Sequence, residues 1–161
     1  MLEIRKTVEK DLERIEEIFG CARERMKQEG NPTQWGTDRP SLDLVRKDIA
    51  EGCSYVVMED GKTVATFAYP IGIEPTYLQI DGEWLDDAPY GTIHRIASDG
   101  SVHGIFEAVL EYVENFGIDV RIDTHRDNRT MIHLIESNGF HRCGIIIVDD
   151  GTPRIAYQKK I

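Results

Sequence analysis

The apolar residues Leu12, Ile15, Ile18, Phe19, Ala22 and Met26 recur at intervals of three and four. This spacing predicts one long amphipathic helix, with Thr7 as N-cap, Glu9 and Asp11 in its first turn, and an end near Gly30. A short strand, Leu2 to Arg5, precedes it. The segment "GNPTQWGTDRP" breaks the pattern with glycine and proline, so it reads as a loop, and Ser41 then caps a second helix carrying Leu42, Val45 and Ile49 that stops around Gly52. At Ser54 the period changes to two. "SYVVMED" and "KTVATFAYPIGI" flank Asp60-Gly61 as a hairpin.

"EPTYLQIDGEWLDDAPYG" is too broken for a long element. Beyond it come a strand in "IHRIASDG", a helix on Phe106, Val109, Leu110 and Val113, a strand "VRIDTH", and a helix from about Asn128 to Asn138 closed by Gly139. The last strands are "CGIIIVDD" and "PRIAYQKK" around Gly151. The order β-α-α-β-β, then β-α-β-α-β-β, predicts an α/β (α+β) fold: a mixed, mostly antiparallel central sheet with helices on both faces. At 161 residues and 40% hydrophobic composition the expectation is a single domain, residues 1–161.

Composition excludes several functions. No apolar run approaches the roughly 18 to 20 residues of a membrane span, and the N-terminus is charged where a signal peptide is apolar, so a soluble, cytoplasmic protein without membrane partners is expected. Cys21, Cys53 and Cys143 are odd in number and far apart, which argues against a disulfide framework or a paired-cysteine zinc site. The five histidines, 94, 103, 125, 133 and 141, have no metal-demanding spacing, and no metal is expected. A net charge of −10 without a basic run argues against nucleic acid and favours a cationic substrate.

The break at Ser98-Asp99-Gly100-Ser101 is where chemistry first suggests itself. A strand that turns into a helix leaves the first backbone N–H groups unpaired at the positive end of the helix dipole, which forms an anion site. Gly104 admits close approach, Ser98 and Ser101 offer hydroxyls, and His103 lies alongside. A nucleotide-binding protein using this turn is the weaker reading, because the chain has neither a P-loop lysine motif nor GxGxxG.

These elements and residues together resemble the GCN5-related N-acetyltransferase (GNAT) family over nearly the whole chain. In that family a Gln/Arg-x-x-Gly-x-Gly/Ala motif cradles the pyrophosphate of acetyl-coenzyme A. The matching stretch is "SVHGIF", with Ser101, Gly104 and Phe106 in the three diagnostic positions, of which only Gly104 is kept. "DNRTMIHLIESNGF" is similar to a later helix of the family, where Asn128 matches a residue that binds the pantetheine arm and Gly139-Phe140 the turn beyond. Ile135 stands where many members carry a tyrosine general acid. Phe106 either narrows the pyrophosphate seat or turns inward along the apolar stripe, and both readings stay open at this point.

The resemblance implies an acetyltransferase that moves an acetyl group from acetyl-CoA to a primary amine of a small molecule or peptide N-terminus, by direct attack in a ternary complex. It implies a coenzyme site from Ile96, Ala97, Ser98, Ser101, Val102, His103, Gly104, Ile105, Phe106, Asn128 and Arg129, with Arg126 near the phosphates. A backbone N–H near Ile96 or Ala97 would polarise the thioester carbonyl. His94 is the first candidate base, and Asp123, sharing one face of "VRIDTH" with His125, the next. The acceptor pocket would draw on Trp35, Tyr77, Trp84 and Tyr90, with Glu74, Asp81, Glu83, Asp86 and Asp87, which suit a cationic amine. A homodimer is compatible with this reading. The rival is a catalytically inactive module of the same fold, with Phe106 closing the coenzyme site and the pocket used for binding alone.

Overall fold

The computed structural model describes residues 1–161. Strand β1, Leu2–Lys6, pairs antiparallel with β2, Ser54–Glu59, which forms a hairpin with β3, Lys62–Ala68. Asp60 and Gly61 make its turn at φ 49° and 78°, the left-handed pair that a two-residue hairpin loop requires. Helix α1, Leu12–Gln28, is entered through a 3-10 turn, Glu9–Asp11. Thr7 is not its cap: its hydroxyl is buried and accepts from Ser54 Oγ at 2.8 Å, while the Asp11 carboxylate accepts the Val8 N–H at 2.8 Å. Ser41 does cap α2, Leu42–Ala50, through the Leu44 N–H at 3.3 Å.

The later elements are β4, Asp81–Gly82, β5, Tyr90–Thr92, β6, His94–Ser98, α3, Ile105–Glu114, β7, Asp119–Thr124, α4, Arg129–Ser137, β8, His141–Ile147, and β9, Pro153–Lys159. Alternation on the strands sorts side chains between layers. Val56 and Ala97 pack under the α1 and α2 stripe, with Ile15, Ile18, Phe19 and Val45. Tyr55, Val57, Ile122, Ile155 and Tyr157 point the other way, onto Phe106, Val109 and Val113 of α3 and Ile135 of α4. The expected helices on both faces are therefore present.

The central sheet is divided. Strands β1-β2-β3-β6 form one ladder and β4-β8-β9-β7-β5 a second. The strand "YGTIHRIAS" belongs to both in succession. Tyr90–Thr92 runs parallel to β7, with Ile93 still donating to the Arg121 carbonyl at 3.0 Å; one residue later His94 stands opposite Ala68 of β3. From there β6 and β7 diverge and leave a cleft between the sheets. No helix is long and apolar enough to cross a membrane.

Candidate active site

The divergence is held in place by a kink. The β3–β6 register shifts between Thr66 and Ala68, and Arg95 adopts φ 53°, a left-handed conformation unusual outside glycine. Its guanidinium fixes the kink, donating to Asp48 Oδ2 of α2 through Nε at 3.1 Å and Nη2 at 2.6 Å. Asp48, Glu51 and Cys53 bring one ligand atom each within 4.8 Å of one another. They make a poor metal seat, because Asp48 is engaged by Arg95 and burial, followed by Asp48's charge, pushes the Cys53 thiol up to about 11.

Above the kink lies a cavity of about 400 Å³. The loop after α1 contributes Gln34, Trp35 and Arg39 to its lining, β6 contributes His94 and Ile96, β7 Asp123 and Thr124, the β8–β9 turn Asp149 and Asp150, and β9 Arg154. His94 Nε2 lies 2.9 Å from Glu74 Oε1. That bond, with the Thr76 amide, holds the Glu74 carboxyl below its usual range. A carboxylate can only accept, so Nε2 carries the hydrogen, and in the neutral form of the ring the lone pair is on Nδ1.

Asp123 accepts from the Tyr77 hydroxyl at 2.6 Å. Burial raises its pKa, opposed by His94, by the Tyr77 bond and by the charge of Arg154. The two candidate bases therefore do share this cleft. His125 does not: the strand ends at Thr124, so alternation no longer applies, and His125 lines a separate hollow with Arg126.

The aromatic expectations divide. Trp35 lines the cavity and meets Phe19 edge-on, whereas Tyr77 lies beneath it, reaching it only through Asp123. Trp84 and Tyr90 are elsewhere. They sandwich the buried Arg121 guanidinium at 3.9 Å on each side, an arrangement in which the rings supply the attraction that solvent would otherwise give. Asp86 pairs with Lys160, and Asp81, Glu83 and Asp87 are exposed.

Adjoining the larger cavity, and sharing Ile96, Asn128 and Met131 with it, a smaller cavity of about 180 Å³ extends along β6 to Ala97, Ser98, Ile105, Phe106 and Leu134. At its end stands the N-terminus of α3. No side chain caps it, Gly104 has φ 81°, and the space that a Cβ would enter there is open. Val102 and His103 complete the partly exposed loop. Arg25 of α1, unremarked in the sequence, donates from Nη2 to the Ser98 carbonyl at 2.6 Å, and a Cβ at Gly100 would stand 2.7 Å from its Nη1. Free N–H donors, a close cation and an unfilled approach fit a pyrophosphate.

Three expectations change here. Ser101 offers no free hydroxyl, since its Oγ and N–H both donate to Asp99 Oδ1, at 2.6 and 2.9 Å. The Phe106 ring turns into the core, 3% exposed and 6.3 Å from the Phe140 ring, so at this position the backbone faces the seat. Asn128 caps α4 by accepting the Met131 N–H at 3.1 Å and donates to Gln34 Oε1 at 3.1 Å, which joins α4 to the loop after α1. Arg129 is exposed beside it, and Ile135 is fully buried without a proton to give. Arg154, Arg39 and Gln34 are cleft residues that the sequence reading missed, being single polar residues in loops or at a strand start.

No protein-family model matches the sequence. The S-(2-succino)cysteine N-acetyltransferase of Bacillus subtilis is 28% identical over 153 residues, covering 87% of this chain and 84% of its own. A GNAT-family acetyltransferase from Streptococcus agalactiae shares 31% identity over 99% of this chain and 95% of its own, with a TM-score of 0.88. Arabidopsis thaliana Naa50 in complex with the bisubstrate analogue CoA-Ac-MVNAL has the same fold at 12% identity, with a TM-score of 0.64 and 99% of each chain covered. A divided sheet, an uncapped helix at the end of the dividing strand, and a full-length relative at this identity have one common explanation: the chain belongs to the GCN5-related N-acetyltransferase family, as an N-acetyltransferase with acetyl-CoA as its acyl donor.

Proposed function

We propose that residues 1–161 work as one acetyltransferase domain that acetylates a primary amine of a small molecule or a peptide N-terminus, with His94 as the base. The observation that carries this reading is the Glu74–His94 pair at 2.9 Å, set in the cleft where the two sheets part. Glu74 fixes the ring and its tautomer, and Nδ1 takes a proton from the acceptor's ammonium, making the amine nucleophilic. Asp123, braced by Tyr77, lines the same cleft, where its carboxylate form attracts the ammonium before that transfer. Acetyl-CoA supplies the activated acetyl group as a thioester; the α3 N-terminus and Arg25 hold its pyrophosphate, and Ile96, Ala97 and Met131 flank its arm.

Attack is direct, in a ternary complex. A covalent acyl-enzyme needs an activated nucleophile, and the cleft offers none: Ser41 is the α2 cap, the Thr124 hydroxyl is buried with no base bonded to it, Cys53 is buried with its thiol raised to about 11, and Cys21 is exposed on α1. The tyrosine acid of many relatives is replaced by buried Ile135, so the departing thiolate is protonated by solvent. The relative named for S-(2-succino)cysteine supports a small-molecule acceptor and the peptide-bearing analogue on Naa50 a peptide one.

His94→Gln tests the reading through thiol release from acetyl-CoA with an amine panel. The variant is expected to lose roughly a hundred- to a thousandfold in kcat near neutral pH, with the KM for acetyl-CoA unchanged. A variant within threefold of wild type at every pH would remove His94 from the role.

A further inference from the structure

Arg154, at the start of β9, is 6% exposed and carries its charge into the cleft wall. Nη1 donates to Thr152 Oγ1 at 2.8 Å and to the Pro153 carbonyl at 2.9 Å. Nε and Nη2 have no acceptor in the protein, yet they are not among the sealed, unpartnered polar atoms, so they face accessible space. The charges it feels are Asp123, Asp150 and Arg39, all lining the same cavity. None neutralises it directly. Asp150 is bonded to Arg39 at 2.9 Å and to Thr152, and Asp123 to Tyr77. A buried guanidinium without a carboxylate is an unbalanced arrangement, since buried charges are normally paired. Arg121, equally buried, is faced by two aromatic rings and donates from Nη2 to the Asp86 carbonyl, while its Nε is sealed away without a partner; the free nitrogens of Arg154 differ in reaching accessible space.

We propose that Arg154 binds a carboxylate on the acceptor, and that the acceptor is a free α-amino acid or a close derivative; this rests on the acetyltransferase reading above. Asp123 stands opposite Ala156 in the β7–β9 register, so Arg154 is its diagonal neighbour on the same face, roughly 7–8 Å away along the backbone. The ammonium and carboxylate of an α-amino acid leave one carbon atom. One such molecule places its nitrogen at Asp123 and His94 and its carboxylate at Nε and Nη2, a two-point fork that guanidinium geometry favours. A peptide N-terminus has an amide at that point, whose single neutral carbonyl oxygen offers Arg154 neither a negative charge nor a two-oxygen fork. The Arg39–Asp150 ion pair also ties the loop after α1 to the β8–β9 turn across this cavity, which suits a small acceptor.

The test uses the twenty common L-amino acids, each beside its α-carboxamide, with wild type, Arg154→Gln and Arg154→Lys. Turnover is followed by thiol release and binding by calorimetry on CoA-loaded protein. At least one free acid is expected to bind tenfold or more tightly than its amide. Arg154→Gln should weaken the acid tenfold or more and leave the amide and acetyl-CoA unchanged, with Arg154→Lys in between. Equal affinity for acid and amide, equal losses on both in Arg154→Gln, or no binding of any free acid overturns the carboxylate site. Acid-selective binding without any acetyl transfer counts instead against the transferase reading, so the two failures are distinguishable.

Discussion

Replacing Phe106 by alanine separates the two roles that its position allowed. The ring is 3% exposed, sits on the second residue of α3, and packs in one cluster with Val109, Leu110 and Val113 of its own helix and with Phe140 beyond α4. Deleting a buried phenyl ring costs about 3–5 kcal/mol, the range including the cavity left behind. For a chain of this length each kcal/mol moves the melting temperature by roughly 2–4 °C, so a fall of about 10 °C is expected. Acetyl-CoA affinity should stay within about threefold of wild type if, as proposed, the pyrophosphate is held by backbone N–H groups at the α3 N-terminus while the ring stays in the core. Urea unfolding and calorimetric titration read the two quantities independently, and Phe106→Leu keeps most of the volume if the alanine variant is too unstable to titrate. A variant that loses less than about 1 kcal/mol and binds acetyl-CoA more tightly would mean that the ring obstructs the seat, and the inward packing argument would fail.

Tyr77→Phe removes the hydroxyl that Asp123 accepts at 2.6 Å. Burial already raises the Asp123 pKa and the Tyr77 bond pulls it back, so the variant raises it further. If ionised Asp123 attracts the acceptor, the acid limb of the kcat/KM profile moves to higher pH, and the loss is larger at pH 6 than at pH 8; an unmoved limb excludes Asp123. Alkylation at pH 8 should be fast at exposed Cys21 alone. A thiol raised to about 11, as at Cys53, is roughly a thousandth ionised there, against about a quarter for an ordinary thiol. Mass spectrometry that finds Cys53 modified as quickly as Cys21 in folded protein would contradict its burial.

Local physics made much of this legible in the chain. The α1, α2, α3 and α4 stripes repeat at helical spacing, Ser41 and Asn128 cap where short polar side chains cap, and Asp60-Gly61 turns where φ must be positive. The coarse resemblance drew on the same local signals, since the order of elements and the Gly104 and Gly139 boundaries are consecutive features of the sequence. His94 and Asp123, the candidate bases read from the two strands, line one cavity in the folded chain.

Pairing over long distances was not legible. Whether Tyr90 to Ser98 lies in one sheet or passes between two is decided by β3 and β7, and the kink that opens the cleft depends on Asp48, forty-seven residues from Arg95. Trp84 and Tyr90 looked like pocket aromatics because composition carries no direction; Arg121, alternating onto their side of β7, claimed them. The elements, their order and the family resemblance follow from the chain alone, because helix period, strand alternation and caps act within a few residues. Which polar groups meet depends on the folded arrangement: Glu74 with His94, Tyr77 with Asp123, Arg39 with Asp150, and Arg154 with no carboxylate, since electrostatic partners are set by proximity in space and not along the chain.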